Sequence, residues 1–139
     1  MSQHPFRVLS EGGASSMSSG EMAALLAPDV TFHSPILSRA VSGRERVQQI
    51  LANAFEFVDP IQFTLELSDR QQTVFLWNGA INGYEIQAAR VISENAEGQI
   101  YDISVLMRPY PVVTLFQQAM RERAGSTVPE EYWELAPSQ

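Results

Sequence analysis

The stretch VQQILANAFEFVDPIQFTLEL, Val47 to Leu67, changes period in its middle. Val47, Ile50, Leu51, Ala54, Phe55 and Val58 recur at i, i+3, i+4, i+7, i+8 and i+11, which is one face of a helix. Ser42 and Glu45, three apart with Gly43 between them, form a capping-box pattern at its start, and Asp59-Pro60 is expected to end it. From Ile61 the period is two. Ile61, Phe63, Leu65 and Leu67 alternate with Gln62, Thr64, Glu66 and Ser68, the pattern of a half-buried strand.

Downstream the strand signals continue. Thr73 to Asn78, Tyr84 to Ile92 and Ile100 to Arg108 read as three further strands. Asp69-Arg70, Asn82-Gly83 and Asn95 to Gly98 read as the turns between them. Asn78-Gly79 is read as a bulge or kink. The last strand has apolar residues on both parities, as a strand covered on both faces does. Val112, Leu115, Phe116, Ala119 and Met120 form a final amphipathic helix that Gly125 closes. Thr127 and Glu130 repeat the capping pattern before Tyr132, Trp133 and Leu135, a short helix docked on the body or on a partner.

Upstream, Pro5 to Ser10 opens a short helix. Ser18 with Glu21 caps another, carrying Met22, Leu25 and Leu26, that Pro28 is expected to stop. Val30 to His33 is a short strand. Helices followed by a run of strands specify an α+β fold. The expected architecture is a cone-shaped, curved antiparallel sheet wrapped around N-terminal helices, with a C-terminal helix. Its hollow is the natural ligand site. The 139 residues form one domain, with a core over residues 15–123 and a tail over 124–139.

Composition bounds the function. There is no cysteine and no lysine; nine arginines face sixteen acidic residues, a formal charge of −7. A thiolate zinc site is excluded, and two distant histidines give no metal-ligand spacing, so no metal or cofactor is expected. The acidic balance argues against nucleic acid. No apolar run approaches a bilayer span, and Met1 to Gly13 has no hydrophobic signal region, so a cytoplasmic location is expected.

Three segments resemble the nuclear transport factor 2-like superfamily, in its SnoaL-like and ketosteroid isomerase-like branches. They are Leu25-Leu26-Ala27-Pro28-Asp29-Val30-Thr31-Phe32-His33-Ser34-Pro35 with Ser42-Gly43, Trp77-Asn78-Gly79, and Gly98-Gln99-Ile100. The resemblance covers about Glu21 to Met120. It implies an open-ended pocket between sheet and helices, and a homodimer through the outer sheet face. The catalytic residues do not carry over. Where ketosteroid isomerase-like enzymes place a base before the Pro, this chain has Ser34. The position of their protonated Asp matches Arg90, and that of their Tyr falls at about Ser10. Steroid isomerase activity is therefore not expected. The resemblance gives no match for both partners of the His/Asp pair of SnoaL-type cyclases. Arg90 with Asp102 supplies only part of the Asp-Arg-Asp group of limonene epoxide hydrolases.

Arg90 is the foremost candidate. It shares parity with Ile86, Ala88 and Ile92, and a cation facing an apolar pocket needs an anion. Asp102 and Glu66 are the candidate internal partners; otherwise a ligand carboxylate, sulfonate or enolate fills the role. His33 has the right pKa range for proton transfer, but a pocket-facing Ser34, with Phe32, leaves His33 on the opposite face. Phe32, Ser34, Phe55, Phe63, Trp77, Tyr84, Arg90, Val105 and Met107 are the expected pocket residues. The leading expectation is a pocket for a small, mostly apolar ligand with one anionic or enolisable group. Proton transfer, cyclisation, hydration and simple binding all remain open. The alternative is a non-catalytic dimeric interaction module whose pocket is filled by its own side chains. A cavity of roughly 300 Å³ or more favours the ligand site.

Overall fold

The computed structural model describes residues 3–135. Three short helices, α1 (Pro5–Glu11), α2 (Ala14–Met17) and α3 (Gly20–Leu25), lead into strand β1 (Leu26–His33). A two-residue strand β2 (Val41–Ser42) precedes the long helix α4 (Arg44–Ala54). Four strands follow, β3 (Val58–Asp69), β4 (Gln72–Ile81), β5 (Tyr84–Glu94) and β6 (Ile100–Arg108), then helix α5 (Tyr110–Ala124). Two 3-10 turns, Gly125–Thr127 and Glu130–Trp133, form the tail.

The strands make one open sheet in the order β2-β1-β6-β5-β4-β3. The meander β3 to β6 is antiparallel, as its turns require. The sheet as a whole is mixed, because β1 lies parallel to β6 through Thr31↔Asp102, Phe32↔Ile103 and His33↔Ser104. The earliest strand thus closes against the latest.

Local chemistry accounts for the departures from the sequence reading. Ser19, not Ser18, caps α3, its hydroxyl accepting from the Met22 amide at 3.2 Å. Gly43 rather than Ser42 is the N-cap of α4, because Ser42 is paired with Thr31 in the sheet. Pro28 does not end α3 but lies inside β1, in the gap between the paired residues Leu26 and Thr31. Pro60 lies inside β3, in the corresponding gap between Val58 and Ile61. A proline is tolerated in a strand where its missing N–H is not needed for the ladder. Asn78-Gly79 is regular strand; the irregularities fall opposite, on β3. Gly79 is needed there for another reason. A Cβ at Gly79 would stand 2.6 Å from the Pro60 carbonyl oxygen.

The core lies between one sheet face and the helices. Phe6 from α1, Met22 from α3 and Val47 from α4 are fully buried, as are Phe75, Ile92 and Ile103 from the sheet. Parity along β5 is unbroken from Tyr84 to Ser93, so Ile86, Ala88, Arg90 and Ile92 all face inward. The opposite sheet face stays uncovered, with Leu106 61% and Leu67 59% exposed.

Candidate functional site

Arg90 sits in the middle of β5, opposite Phe75 of β4 and Val105 of β6. Its strand position sends the guanidinium into the core, where it is 2% exposed. Among the described residues it forms no ion pair. Neither expected partner reaches it. Glu66 accepts from the His4 amide and pairs with Arg7. Asp102 lies on the other parity of β6 and binds His33 at 3.0 Å on the outer face.

Aromatic rings surround the cation instead. The guanidinium carbon lies 4.8 Å from the Phe6 ring centroid, 5.3 Å from Phe55, 5.9 Å from Trp77 and 6.0 Å from Phe63. Each desolvated cation–π contact is favourable by up to about 2 kcal/mol, which offsets part of the cost of burial. One hydrogen bond is added. Arg90 Nη1 donates to Ser10 Oγ at 2.8 Å, and Ser10 Oγ donates to the Phe6 carbonyl at 2.7 Å. Among the described residues, Arg90 Nε has no partner, nor has Trp77 Nε1. Burial lowers the Arg90 pKa to about 10, so the side chain remains a cation at neutral pH.

Arg90 contributes to the wall of a small cavity of about 40 Å³. Phe32, Trp77, Val105 and Met107 line it from the inward parity of their strands, Ser34 from the loop after β1 and Phe55 from the end of α4. The space suffices for a few water-sized groups, each needing about 10–15 Å³. Phe63 is buried beside Arg90 but is not part of the cavity wall. Tyr84 corrects the sequence reading. It shares the inward parity, yet it stands at the hairpin end of β5, 59% exposed and outside the cavity wall.

The remaining wall comes from residues the sequence reading did not assign to a site: Ile36, Ile50, Leu51, Val58, Phe116 and Met120 among them. Phe116 and Met120 lay on a visible helical stripe, and Ile50, Leu51 and Val58 on another. Ile36 follows Pro35 in a loop and carries no periodic signal. A second void of about 10 Å³ shares Ser34, Ile36, Ile50 and Met120 with the first and is closed by Val128 and Trp133 of the tail.

Among the described residues, the cavity wall carries no Asp, Glu or His. Ser34 Oγ accepts from the Ile36 amide at 3.2 Å. A hydroxyl without an adjacent base is a poor proton shuttle near neutral pH. The His33–Asp102 pair has the partners for proton transfer, but His33 is 49% and Asp102 35% exposed, on the opposite side of the sheet. Among the described residues no group of three metal-ligating side chains forms, and no helix is long and apolar enough to cross a membrane.

No protein-family model matches the chain, and no curated protein matches it by sequence. Solved structures do match by shape. An uncharacterised bacterial protein with a cystatin-like fold from Silicibacter pomeroyi superposes with a TM-score of 0.78 at 23% identity, covering 87% of this chain and 86% of that one. A steroid delta-isomerase from Pseudomonas aeruginosa gives 0.75 at 23% identity, with coverages of 81% and 84%. A nuclear transport factor 2-like protein of unknown function from Cytophaga hutchinsonii gives 0.56 at 16% identity, with coverages of 81% and 97%. With helices on one face of an open, mostly antiparallel sheet and a cavity between them, the chain has the cystatin-like fold of the nuclear transport factor 2-like and ketosteroid isomerase-like proteins.

Proposed function

We propose that this domain binds a small, largely apolar molecule carrying one anionic or enolate oxygen, with Arg90 as its anchor. One observation carries the reading: a buried arginine cation, unpaired with any carboxylate among the described residues, on the wall of an otherwise apolar cavity. A bound oxyanion would supply the charge that the protein withholds. With no acid or base on the cavity wall, binding is favoured over a proton-transfer reaction of the ketosteroid isomerase kind.

The size of the cavity favours a second reading. At about 40 Å³ it is far below the ligand range that begins near 300 Å³. In that reading the hollow is filled by side chains and the domain is an interaction module. A thermal-shift comparison separates the two. Benzoate, hexanoate and cyclohexanone are titrated against wild type and Arg90→Met. A ligand at about 100 times its Kd adds roughly 2.7 kcal/mol of stability. Shifts by the carboxylates in wild type alone support the ligand site. The absence of any shift leaves the interaction module.

Either reading includes a homodimer through the outer sheet face. What supports it is an apolar row across four strands, Leu65–Leu76–Ala89–Leu106, in cross-strand register. An isologous pair would bury this row against its own copy. Light scattering of Leu106→Glu is expected to show a monomer where wild type is dimeric; a monomeric wild type removes the dimer.

A further inference from the structure

The two voids share a wall. Ser34, Ile36, Ile50 and Met120 belong to both, Arg90 to the first alone, and Val128 and Trp133 to the second alone. The far wall is a strap rather than a sheet or a long helix. It is tied to the body through the Ser38 amide and hydroxyl, which donate to the Tyr132 carbonyl at 2.8 and 3.2 Å, through Arg39 over the Tyr132 ring, and through an Arg121–Glu130 ion pair; within the strap the Trp133 indole donates to the Gly125 carbonyl at 3.2 Å. Trp133 itself is 6% exposed, an aromatic plug seated against apolar side chains.

Building on the ligand reading above, we infer that the site takes an amphiphile rather than a compact ligand. The oxyanion head meets Arg90. The alkyl or aryl tail runs between Ile36 and Met120 into the second void, and Trp133 sets how long that tail is. The partition consists of flexible or branched aliphatic side chains, which rotate aside at low cost compared with backbone. Each methylene that the lengthened chamber buries raises affinity by about fourfold. Trp133 is therefore a specificity-determining residue, acting on ligand length and leaving the head group unaffected.

Isothermal titration of butanoate, octanoate and decanoate against wild type, Trp133→Ala, Ile36→Ala and Arg90→Met tests this. Ile36→Ala widens the passage without touching the tail, so it stands in should Trp133→Ala detach the strap. The expected result is a rise of about tenfold or more in the decanoate-to-butanoate affinity ratio in Trp133→Ala or Ile36→Ala. Arg90→Met is expected to weaken all three alike. An unaltered decanoate-to-butanoate ratio in both widening variants overturns the length inference while leaving the anion site standing. Length-dependent gains that persist undiminished in Arg90→Met variants overturn the Arg90 anchor alone. Absence of binding to every protein overturns both.

Discussion

Arg90 and Ser10, eighty residues apart, are joined by a 2.8 Å hydrogen bond that ties the central strand β5 to the first helix. The direction of the bond is fixed. Ser10 spends its only proton on the Phe6 carbonyl, so its lone pair is what the guanidinium meets. Donor and acceptor thus form a unit that faces inward from β5 and α1.

Removing that acceptor should be costly. Ser10→Ala leaves a buried charged donor without its partner, which costs on the order of 1.5–3 kcal/mol. The melting temperature is expected to drop by several degrees. In an Arg90→Met background the same Ser10→Ala change is expected to cost much less. Equal losses in both backgrounds would show that the two side chains are not coupled.

Arg90→Met removes the buried charge while keeping much of the volume. Replacing uncompensated buried charge by an apolar side chain is commonly neutral or stabilising. The variant is expected to be at least as stable as wild type in urea titrations and to lose carboxylate binding. A stability loss of several kcal/mol would instead make the aromatic cage a net structural asset.

The stability difference between these two proteins should depend on pH in one direction. Arg90 in the folded chain holds its proton less tightly than in the unfolded chain, because burial lowers its pKa to about 10. The burial cost is thus present in full below pH 10 and is relieved as the pH rises through and above that value. Wild type should gain on Arg90→Met above about pH 10, with a constant difference from pH 6 to 9. Carboxylate affinity should be flat over the lower window and fall in the upper one. A constant difference up to pH 11.5 would count against a lowered pKa.

Gly79→Ala tests the close approach of β4 to β3. The new methyl group would sit 2.6 Å from the Pro60 carbonyl oxygen and 3.1 Å from Val58 Cγ1. A backbone oxygen has little freedom to retreat, so overpacking of about 1–3 kcal/mol is expected. Thermal unfolding should move down by roughly 3–5 °C per kcal/mol at this chain length. An unchanged midpoint would mean that β3 shifts freely.

Much of this architecture is legible in the residues. The 3.6 period of α4 and the run of strands after it gave the α+β class, but the sequence leaves open the face of β5 that Arg90 occupies, because a one-residue bulge would reverse it. Other features carry no periodic signal. Pro28 and Pro60 read as stops because a local pattern does not show where a ladder has gaps. Asp102 was plausible as a partner by type, but parity on β6 sends it outward to His33. The aromatic cage draws on four separate elements or their ends, so its composition depends on packing and not on spacing. Ile36 and the tail enter the site only through tertiary contact.

The parallel seam between β1 and β6 also dictates an order of events during synthesis. Strand β1 emerges early, and until Asp102, Ile103 and Ser104 have been made its only sheet partner is the two-residue β2. Thr31, Phe32 and His33 must wait through some seventy residues of translation for their partners on β6. Contacts of such sequence separation slow folding and lengthen the exposure of apolar surface. Nascent chains arrested before residue 100 should therefore hold an unclosed sheet edge, the stage at which this domain depends most on being shielded from its neighbours.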